Sequence, residues 1–252
     1  MEPGRSIVSL AEYGLKNKTA LVTGAGSGIG YVICKQLYKA GAHVIAVSRT
    51  LEHLEKLKQE CQEIQIICCN LTDWEATEHA LKYTKADLVV NNAGVALLEP
   101  VGHITESAFN KTFNLNTKAA INVIQCCLPH MKSNKHGAIV NISSQAGISA
   151  IQDHAVYAAS KAALDQLTRV FALELGQYNI RVNSVNPTVT LTPMSQVGWS
   201  DPAKAKGMKD KIPLGRFATP EDVTDAVLYL LSDKSAMITG TILPIDGGFT
   251  AC

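Results

Sequence analysis

The sequence predicts an α/β fold with a doubly wound, seven-stranded and mainly parallel sheet that carries helices on both faces. Short apolar runs rich in valine and isoleucine alternate with segments whose apolar residues recur at helical spacing. The apolar runs show no polar alternation, as expected of parallel strands in a sheet that is covered on both faces. The length of 252 residues suits one such domain with a sizeable core.

The strand candidates follow one another from end to end of the chain. In order they are residues 19–22, 43–47, 64–69, 88–90, 138–142, 181–185 and 241–245. The segments between them place apolar residues at helical spacing, as in the sets Ile29, Val32, Ile33, Leu37 and Ala40, and Leu164, Leu167, Phe171 and Leu175. This β-α-β order is typical of a doubly wound sheet.

The predicted organisation is an N-terminal extension of residues 1–17 followed by a single domain of residues 18–252. The least regular segment is 188–215, which follows a predicted strand end at Asn186 and Pro187 and contains three further prolines. A loop at this place would overhang the ligand crevice as a lid around the substrate.

Composition and charge favour small-molecule chemistry. Hydrophobic residues make up 46% of the chain and charged residues 18%, and the formal net charge is +1. There is no long acidic or basic run, which argues against nucleic acid or an anionic membrane as a partner. We find neither a secretory signal pattern nor eighteen consecutive apolar residues, so we expect a cytoplasmic protein without a membrane span.

The seven cysteines are interpreted as reduced residues of the core, with no metal site. They form no Cys-x-x-Cys motif, and two adjacent pairs among them have a spacing that suits neither zinc nor a disulfide framework. Cys252 is the candidate for exposure. The positions are Cys34, Cys61, Cys68, Cys69, Cys126, Cys127 and Cys252.

A glycine-rich turn follows the first predicted strand and opens the first predicted helix. The strict G-x-G-x-x-G pattern is absent, and the spacing is Gly24-x-x-x-Gly28-x-Gly30. Glycines let a backbone turn tightly and approach a pyrophosphate, whose charge is met by N–H groups at the helix N-terminus. The strand before the turn and the helix after it favour a nucleotide site over a turn without a ligand.

The end of the second predicted strand bears on the choice of cofactor. It reads Val47-Ser48-Arg49-Thr50 and offers no carboxylate for the 2′-hydroxyl of an adenosine ribose. A guanidinium suits a 2′-phosphate instead, so Arg49 favours NADP(H) over NAD(H). The alternative is that Arg49 is a solvated cation in a loop.

Tyr157 and Lys161 lie one helical turn apart, and Ser144 closes an apolar run upstream of them. The unperturbed pKa of tyrosine is about 10, and a lysine ammonium at i+4 would favour the phenolate and lower that value. Ser144 would then hold a substrate carbonyl against the phenol. Taken alone, the Tyr-x-x-x-Lys spacing is more often an ordinary surface contact.

Several motifs occur together in one order along the chain. They are the glycine-rich turn of residues 23–30, Asn91-Asn92-Ala93-Gly94, Asn116, Ser144, Tyr157 with Lys161, and Asn186-Pro187. With these motifs, the chain from Lys18 to the C-terminus resembles the short-chain dehydrogenase/reductase family. The resemblance implies a Rossmann-type fold and the reduction of a carbonyl by a nicotinamide cofactor.

The resemblance also implies a catalytic tetrad of Asn116, Ser144, Tyr157 and Lys161. Tyr157 would donate a proton to the carbonyl oxygen, Lys161 would bind the nicotinamide ribose, and Ser144 would hydrogen-bond the developing alkoxide. Asn116 would hold a water molecule that links Lys161 to solvent. Each residue could instead have a purely structural role: Asn116 could cap or break a helix, and Ser144 could hydrogen-bond the backbone at a strand end. Such roles do not explain why all four residue types occur in the family's order.

By the same resemblance, the cofactor-binding residues are Gly24, Ser27, Gly28, Ile29, Gly30, Arg49, Thr50, Asn70, Leu71, Asn92, Ala93, Gly94, Tyr157, Lys161, Pro187, Val189, Thr190 and Thr192. The family usually has an aspartate where this chain has Asn70, which leaves the adenine contact open. Family members are commonly tetramers, so we expect a homotetramer built around two helix pairs, residues 109–131 and 156–175.

Three further residues are substrate-pocket candidates beside Ser144 and Tyr157, namely Gln145, His154 and Trp199. A small carbonyl or polyol substrate such as a ketopentose offers several hydroxyls, and a pocket that selects it must supply fixed donors and acceptors. Gln145 could instead bond a loop backbone, His154 could be a satisfied residue near a helix start, and Trp199 could pack within its loop.

Two other functions remain open at this point. A general carbonyl or 3-oxoacyl-carrier-protein reductase would share the tetrad, and carrier recognition would need a basic entrance, for which the candidates are Lys204, Lys206, Lys209 and Lys211. A reductase-like binding protein would keep the fold without catalysis. The intact tetrad argues against the second of these.

Overall fold

The structure is a computed structural model, and it describes residues 10–251. All strands lie in one sheet of order β3-β2-β1-β4-β5-β6-β7 in which every neighbouring pair is parallel. This confirms the predicted fold, and each predicted strand is present. The strands are β1 (Thr19–Thr23), β2 (His43–Ser48), β3 (Gln65–Cys68), β4 (Leu88–Asn91), β5 (Gly137–Ile142), β6 (Ile180–Pro187) and β7 (Ile242–Ile245).

The helices cover both faces of the sheet. They are α1 (Gly28–Lys39), α2 (Leu51–Glu60), α3 (Trp74–Leu81), α4 (Glu106–Phe113), α5 (Ala119–Asn134), α6 (Ala155–Leu175), α7 (Pro193–Gly198), α8 (Pro202–Lys209) and α9 (Pro220–Leu231). Successive residues of β1 point to opposite sides, so Val22 packs in the core under α1, α2 and α9, while Leu21 packs in the core under α5 and α6.

The strand order places a crevice at the carboxyl ends of β1 and β4. The chain runs outward from β1 through β2 to β3 on one side, and it continues from β4 through β5 to β6 on the other. Ligands of doubly wound sheets bind at such a reversal, outside the carboxyl ends of the strands. The glycine-rich turn follows β1, and Ser144 follows β5, so both open onto this edge.

The segment 188–215 is more regular than predicted, because α7 and α8 form within it. The Thr192 side chain accepts from the backbone N–H of Ser195, and Asp201 accepts from the first turn of α8. A proline follows each of these capping residues at the first helical position, where its missing N–H costs nothing. The Thr-Pro and Asp-Pro pairs are therefore helix starts that the sequence analysis read as loop.

Part of the predicted extension packs onto the domain. Residues 10–17 include a 3-10 turn, Leu10–Tyr13, and Leu15 is only 2% exposed within the core that α1 and α9 share. Residues 1–9 lie outside the described part of the chain. None of the helices within residues 10–251 is long and apolar enough to cross a membrane.

Six cysteines lie in the described part of the chain, and all six are free thiols. Cys34, Cys61, Cys69 and Cys127 are buried as expected, whereas Cys68 at the end of β3 is exposed. Its position at the end of an edge strand explains the difference. Cys252 lies outside the described residues.

Candidate active site

The glycine-rich turn between β1 and α1 requires its glycines. Gly24 and Gly28 have φ angles of +65° and +58°, a conformation that other residues rarely adopt. A Cβ at Gly24 would lie 2.7 Å from Nδ2 of Asn92, and a Cβ at Gly30 would contact the same atom. Glycines are therefore required at these positions by the positive φ angles and by the close packing of the turn against Asn92.

Asn92 and Ala93 fix the turn from the neighbouring strand. Asn92 Nδ2 donates to the carbonyl oxygens of Thr23 at 3.0 Å and Gly24 at 3.1 Å. The Thr23 hydroxyl accepts from the backbone N–H groups of Asn92 at 3.0 Å and Ala93 at 3.1 Å. The end of β4 and the glycine-rich turn thus form one hydrogen-bonded unit on the crevice.

The N-terminus of α1 fits a pyrophosphate. Ser27 is the N-cap residue, is exposed, and makes no side-chain hydrogen bond to the first turn. The first N–H groups of a helix have no partner within the helix, and the helix dipole favours an anion there. The predicted residues Ser27 and Ile29 lie at this helix start, so the local backbone suits the phosphate groups of a dinucleotide.

Arg49 and Thr50 lie where β2 meets α2. Arg49 is exposed, and Thr50 is the N-cap of α2 without a side-chain cap hydrogen bond. A guanidinium beside an uncapped helix start offers charged and neutral donors to the same anion. This arrangement fits a ribose 2′-phosphate, which NADP carries and NAD lacks.

Asn70 and Leu71 follow β3 and are engaged with the protein itself. The Asn70 side-chain oxygen accepts from the backbone N–H of Thr72 at 3.3 Å and from its hydroxyl at 2.9 Å. Leu71 is 6% exposed and packs in the core. The Leu71 side chain is therefore a core residue, and any cofactor contact at this position is left to the backbone.

Four further predicted cofactor residues lie where β6 ends and the segment 188–215 begins: Pro187, Val189, Thr190 and Thr192. A Cβ at Gly28 would lie 3.3 Å from the methyl carbon of Thr192. The start of α7 therefore contacts the glycine-rich turn, and the segment reaches across the crevice.

Helix α6 carries two of the four tetrad residues. Lys161 Nζ lies 5.8 Å from the centroid of the Tyr157 ring. Ser144 is the N-cap of a 3-10 turn after β5, and its side chain is close enough to the Tyr157 phenol to lower the pKa of that group. The phenol thus lies beside the serine and the lysine, which is the arrangement that a proton donor to a bound carbonyl needs.

Lys161 is buried below Tyr157. Its ammonium donates to the carbonyl oxygen of Ile142 at 2.7 Å. A Cβ at Gly94 would lie 3.5 Å from Lys161 Nζ and 3.3 Å from Asn116 Oδ1, so Gly94 packs against both tetrad residues. Burial lowers the pKa of Lys161 to about 8, and the nearby charge of Asp165 opposes that shift.

Asn116 lies in a π-helical turn between α4 and α5. Its Nδ2 donates to the Val95 carbonyl at 2.9 Å and to Ser160 Oγ at 3.0 Å, and its Oδ1 accepts from the Val95 N–H at 2.8 Å. The side chain therefore ties the loop that follows β4 to α6. Single π-turns of this kind occur frequently at functional sites.

The predicted lowering of the Tyr157 pKa by Lys161 is wrong for this structure. Burial raises the pKa of Tyr157, and the hydrogen bond from Ser144 only partly offsets that effect. Lys161, whose ammonium donates to the Ile142 carbonyl, is not among the groups that shift the Tyr157 pKa. Tyr157 is accordingly held as a protonated phenol at neutral pH.

Asp165, a buried carboxyl group next to the tetrad, was not predicted from the sequence. It is 3% exposed, and it accepts from Ser184 Oγ at 2.9 Å and from Asn186 Nδ2 at 2.7 Å. The same Asn186 amide donates to the Ser144 carbonyl at 2.9 Å. Burial raises the pKa of Asp165 above its ordinary value, although these hydrogen bonds and the charge of Lys161 oppose that shift. The available signal was the four-residue spacing, since Asp165 follows Lys161 by one helical turn.

Two substrate candidates lie beside the tetrad. Gln145 follows Ser144 and is 2% exposed, and neither its Nε2 nor its Oε1 has a hydrogen-bond partner among the described residues. The His154 ring meets the Tyr157 ring edge-on, with centroids 6.0 Å apart. The His154 ring is therefore next to the phenol, and Gln145 is a buried amide with unpaired polar atoms that directly follows Ser144 in the chain.

Trp199 packs within its own segment. Its ring centroid lies 5.8 Å from that of Phe217, and Lys204 Nζ lies 5.0 Å from the Trp199 centroid. Trp199 also contacts the small core of Met208, Ile212 and Phe217. The described contacts thus support the packing interpretation of Trp199 and do not bring it to Tyr157.

The doubly wound sheet, the glycine-rich turn and the Ser144–Tyr157–Lys161 cluster define a class of protein, the Rossmann-type oxidoreductases. A sequence model described as enoyl-(acyl carrier protein) reductase matches residues 24–250. This match and the relatives described below show that the chain belongs to the short-chain dehydrogenase/reductase family.

Three similar proteins are informative. The chain is 52% identical over 239 residues to L-xylulose reductase from Bos taurus, covering 94% of this chain and 98% of the relative. It is 50% identical over 236 residues to D-erythrulose reductase from Gallus gallus, covering 93% and 96%. The solved structure of a candidate NAD(P)-dependent gluconate 5-dehydrogenase from Beutenbergia cavernae, with bound NADP at low occupancy, superposes with a TM-score of 0.92 at 31% identity, covering 95% and 99%.

Proposed function

We propose that this chain is an NADPH-dependent carbonyl reductase that converts L-xylulose to xylitol and small α-dicarbonyls to hydroxyketones. The observation that carries the proposal is the position of Lys161 Nζ, 5.8 Å from the centroid of the Tyr157 ring, with the Ser144 side chain close enough to the phenol to lower its pKa. The relatives named L-xylulose reductase and D-erythrulose reductase support a small ketose as substrate.

NADPH is the proposed cofactor. The glycine-rich turn with the uncapped start of α1 fits the pyrophosphate, and Arg49 beside the uncapped start of α2 fits the 2′-phosphate. The NADP bound in the similar gluconate 5-dehydrogenase structure supports this choice. When bound, NADPH supplies a hydride to the carbonyl carbon.

The chain's own residues supply the proton and stabilise the developing charge. Tyr157 donates its proton to the carbonyl oxygen, and the burial that raises its pKa keeps that proton in place at neutral pH. The Ser144 hydroxyl donates to the same oxygen as it gains negative charge, a contribution of about 3 kcal/mol for one such donor. Lys161 binds the nicotinamide ribose next to the phenol.

Substrate recognition is assigned to Gln145 and His154. Gln145 is a buried amide without a described partner, so a hydroxyl beside the ketone would satisfy groups that are otherwise unpaired. His154 lies against Tyr157 and offers a further polar contact. Segment 188–215 serves as the lid, since Thr192 already contacts the glycine-rich turn.

The test is an NADPH oxidation assay on the purified protein with L-xylulose, diacetyl and a 3-oxoacyl-carrier-protein thioester. We expect turnover of the first two, and no turnover of any substrate by Tyr157→Phe. Faster reduction of the thioester than of either small carbonyl would instead indicate a 3-oxoacyl-carrier-protein reductase. The lysines of α8 would then form the basic entrance for the carrier protein. Absence of all turnover would favour a binding protein.

A homotetramer in the cytoplasm is part of the proposal. Apolar side chains are exposed on the two helix pairs expected to form the interfaces, including Phe109 at 45% and Leu173 at 84% exposure. Light scattering should give a mass about four times that of the chain, and Leu173→Glu should reduce it. A cytoplasmic setting is supported by six free thiols, and a fluorescent fusion confined to another compartment would contradict it.

A further inference from the structure

Asp165 completes a line of three functional groups on α6. Tyr157, Lys161 and Asp165 are four residues apart, and residues at this spacing lie above one another on a helix. The first two face the crevice, and the third lies one turn deeper. A Cβ at Gly147 would lie 3.0 Å from Asp165 Oδ2, so the 3-10 turn that begins at Ser144 packs directly against this carboxyl group.

The carboxyl group is connected to the tetrad serine through one side chain. The NH2 group of Asn186 donates one hydrogen to Asp165 Oδ2 at 2.7 Å and the other to the Ser144 carbonyl at 2.9 Å. Ser184 Oγ lies 2.9 Å from both Asp165 Oδ1 and Asn186 Oδ1, which fixes the amide orientation. On the lysine side, Ser143 Oγ donates to the Lys161 carbonyl at 3.1 Å.

Lys161 is the only charged group in the described residues that acts on Asp165. The neighbours of Asp165 on β5, β6 and the 3-10 turn are the neutral side chains of serine and asparagine and the backbone of Gly147. The charged residues on the other elements that pack against α6 do not face Asp165. Glu106, Lys111 and Lys118 are exposed, and Arg181 donates to the last carbonyls of α9.

We propose that Asp165 is a positioning residue of the reaction, which holds Ser144 in place through Asn186 and keeps Lys161 protonated through its negative charge. This inference rests on the proposed function. The two effects of this carboxylate can be separated. Removal of its charge should change the protonation of Lys161, and removal of the amide bridge should change the position of Ser144.

Asp165→Asn is the main test, because it removes the charge and keeps the size. Its amide can still accept from Asn186 and donate to Ser184. We expect kcat to fall about tenfold. We also expect the pH midpoint at which NADPH affinity is lost, set by Lys161, to move down by about one unit. Asp87→Asn, at the amino end of β4, is the matched control and should leave both quantities unchanged. A variant with the wild-type midpoint and kcat would overturn the proposal, whatever its melting temperature.

Asn186→Ser is the second variant and decides the case if Asp165→Asn does not fold. It keeps the charge but cannot bridge Asp165 and Ser144, so kcat should fall while the pH midpoint of NADPH affinity stays at the wild-type value. An unchanged kcat would overturn the positioning role. The fluorescence titration with NADPH needs no turnover. A wild type that binds NADPH without reducing any substrate would therefore contradict the proposed function, while the midpoint of Asp165→Asn would still test this inference.

Discussion

The two sides of the crevice hold their charged side chains in different ways. On the α6 side, Lys161 and Asp165 are buried and make short hydrogen bonds to rigid elements. In segment 188–215, Lys204 is exposed and lies over the Trp199 ring at 5.0 Å from its centroid. A desolvated, fully bonded group is costly to displace, whereas an exposed cation on an aromatic face contributes little and moves easily.

This difference separates the residues that carry out the reaction from those that recognise the substrate. The groups that donate a proton or stabilise charge are fixed before a substrate arrives, which is how pre-organised electrostatic stabilisation works. Gln145 is an intermediate case, since it is buried like Lys161 and Asp165 but its amide lacks a hydrogen-bond partner among the described residues. Changes on the α6 side should therefore act on kcat, and changes at Gln145 should act on the choice of substrate.

The largest expected effect is that of Tyr157→Phe. It removes one hydroxyl and keeps the ring, so kcat should fall by about 100- to 10,000-fold, the range for loss of a general acid. NADPH affinity and the circular dichroism spectrum should remain as in the wild type. Tyr83→Phe, at a side chain that is 84% exposed, is the control. Substantial reductase activity in purified Tyr157→Phe, with host enzyme excluded, would show that the proton comes from another group.

Lys161→Met should lower both kcat and NADPH affinity, by about 100-fold and about tenfold respectively. Its pH dependence is more diagnostic. Lysine is charged below its pKa, and burial places that pKa at about 8. Wild-type NADPH affinity, measured by fluorescence titration, should therefore decrease as the pH rises through about 8. The variant should show weak affinity without this step. A step of the same size in Lys161→Met would assign the titration to a different group.

Most of the fold could be predicted from the sequence, because the strand signal is local. Short apolar runs that are rich in valine and isoleucine, lack polar alternation and alternate with helical patterns indicate strands buried on both faces, and all seven predicted strands are present. The two helices in segment 188–215 were missed because six- and eight-residue helices carry little periodicity. The local signals were their N-cap residues, Thr192 and Asp201, and the proline that follows each of them.

The site was predictable where residue type and order suffice, and not where the outcome depends on burial. The positions of Ser144, Tyr157 and Lys161 follow from the motifs. The raised pKa of Tyr157 does not, since it arises from desolvation that only the packed structure reveals. Asp165 was missed for the same reason, because a carboxylate on a helix is ordinarily a solvated residue.

Arg49→Asp tests the cofactor side of the crevice, where the charged group is exposed. It should raise the Michaelis constant for NADPH by about 10- to 100-fold, as expected for loss of charged hydrogen bonds, and change that for NADH far less. Arg169→Asp, an exposed position on α6, should change neither. A wild type that uses NADH as well as NADPH would contradict the assignment of Arg49.

Gln145→Leu is expected to have the smallest effect on rate. It tests most directly whether a buried residue next to the tetrad selects the substrate. A buried amide without a partner costs about 1–3 kcal/mol, so replacing it with an apolar group of similar size should raise the melting temperature by at least about 2–4 °C. The same change removes the groups assigned to a ketose hydroxyl, so the Michaelis constant for L-xylulose should rise about tenfold. Reduction of diacetyl, which has no hydroxyl, should change less than about twofold.

Gln177→Leu, at an exposed position, is the control and should alter neither stability nor selectivity. Equal losses with both substrates would mean that Gln145 supports the shape of the site and does not read the substrate.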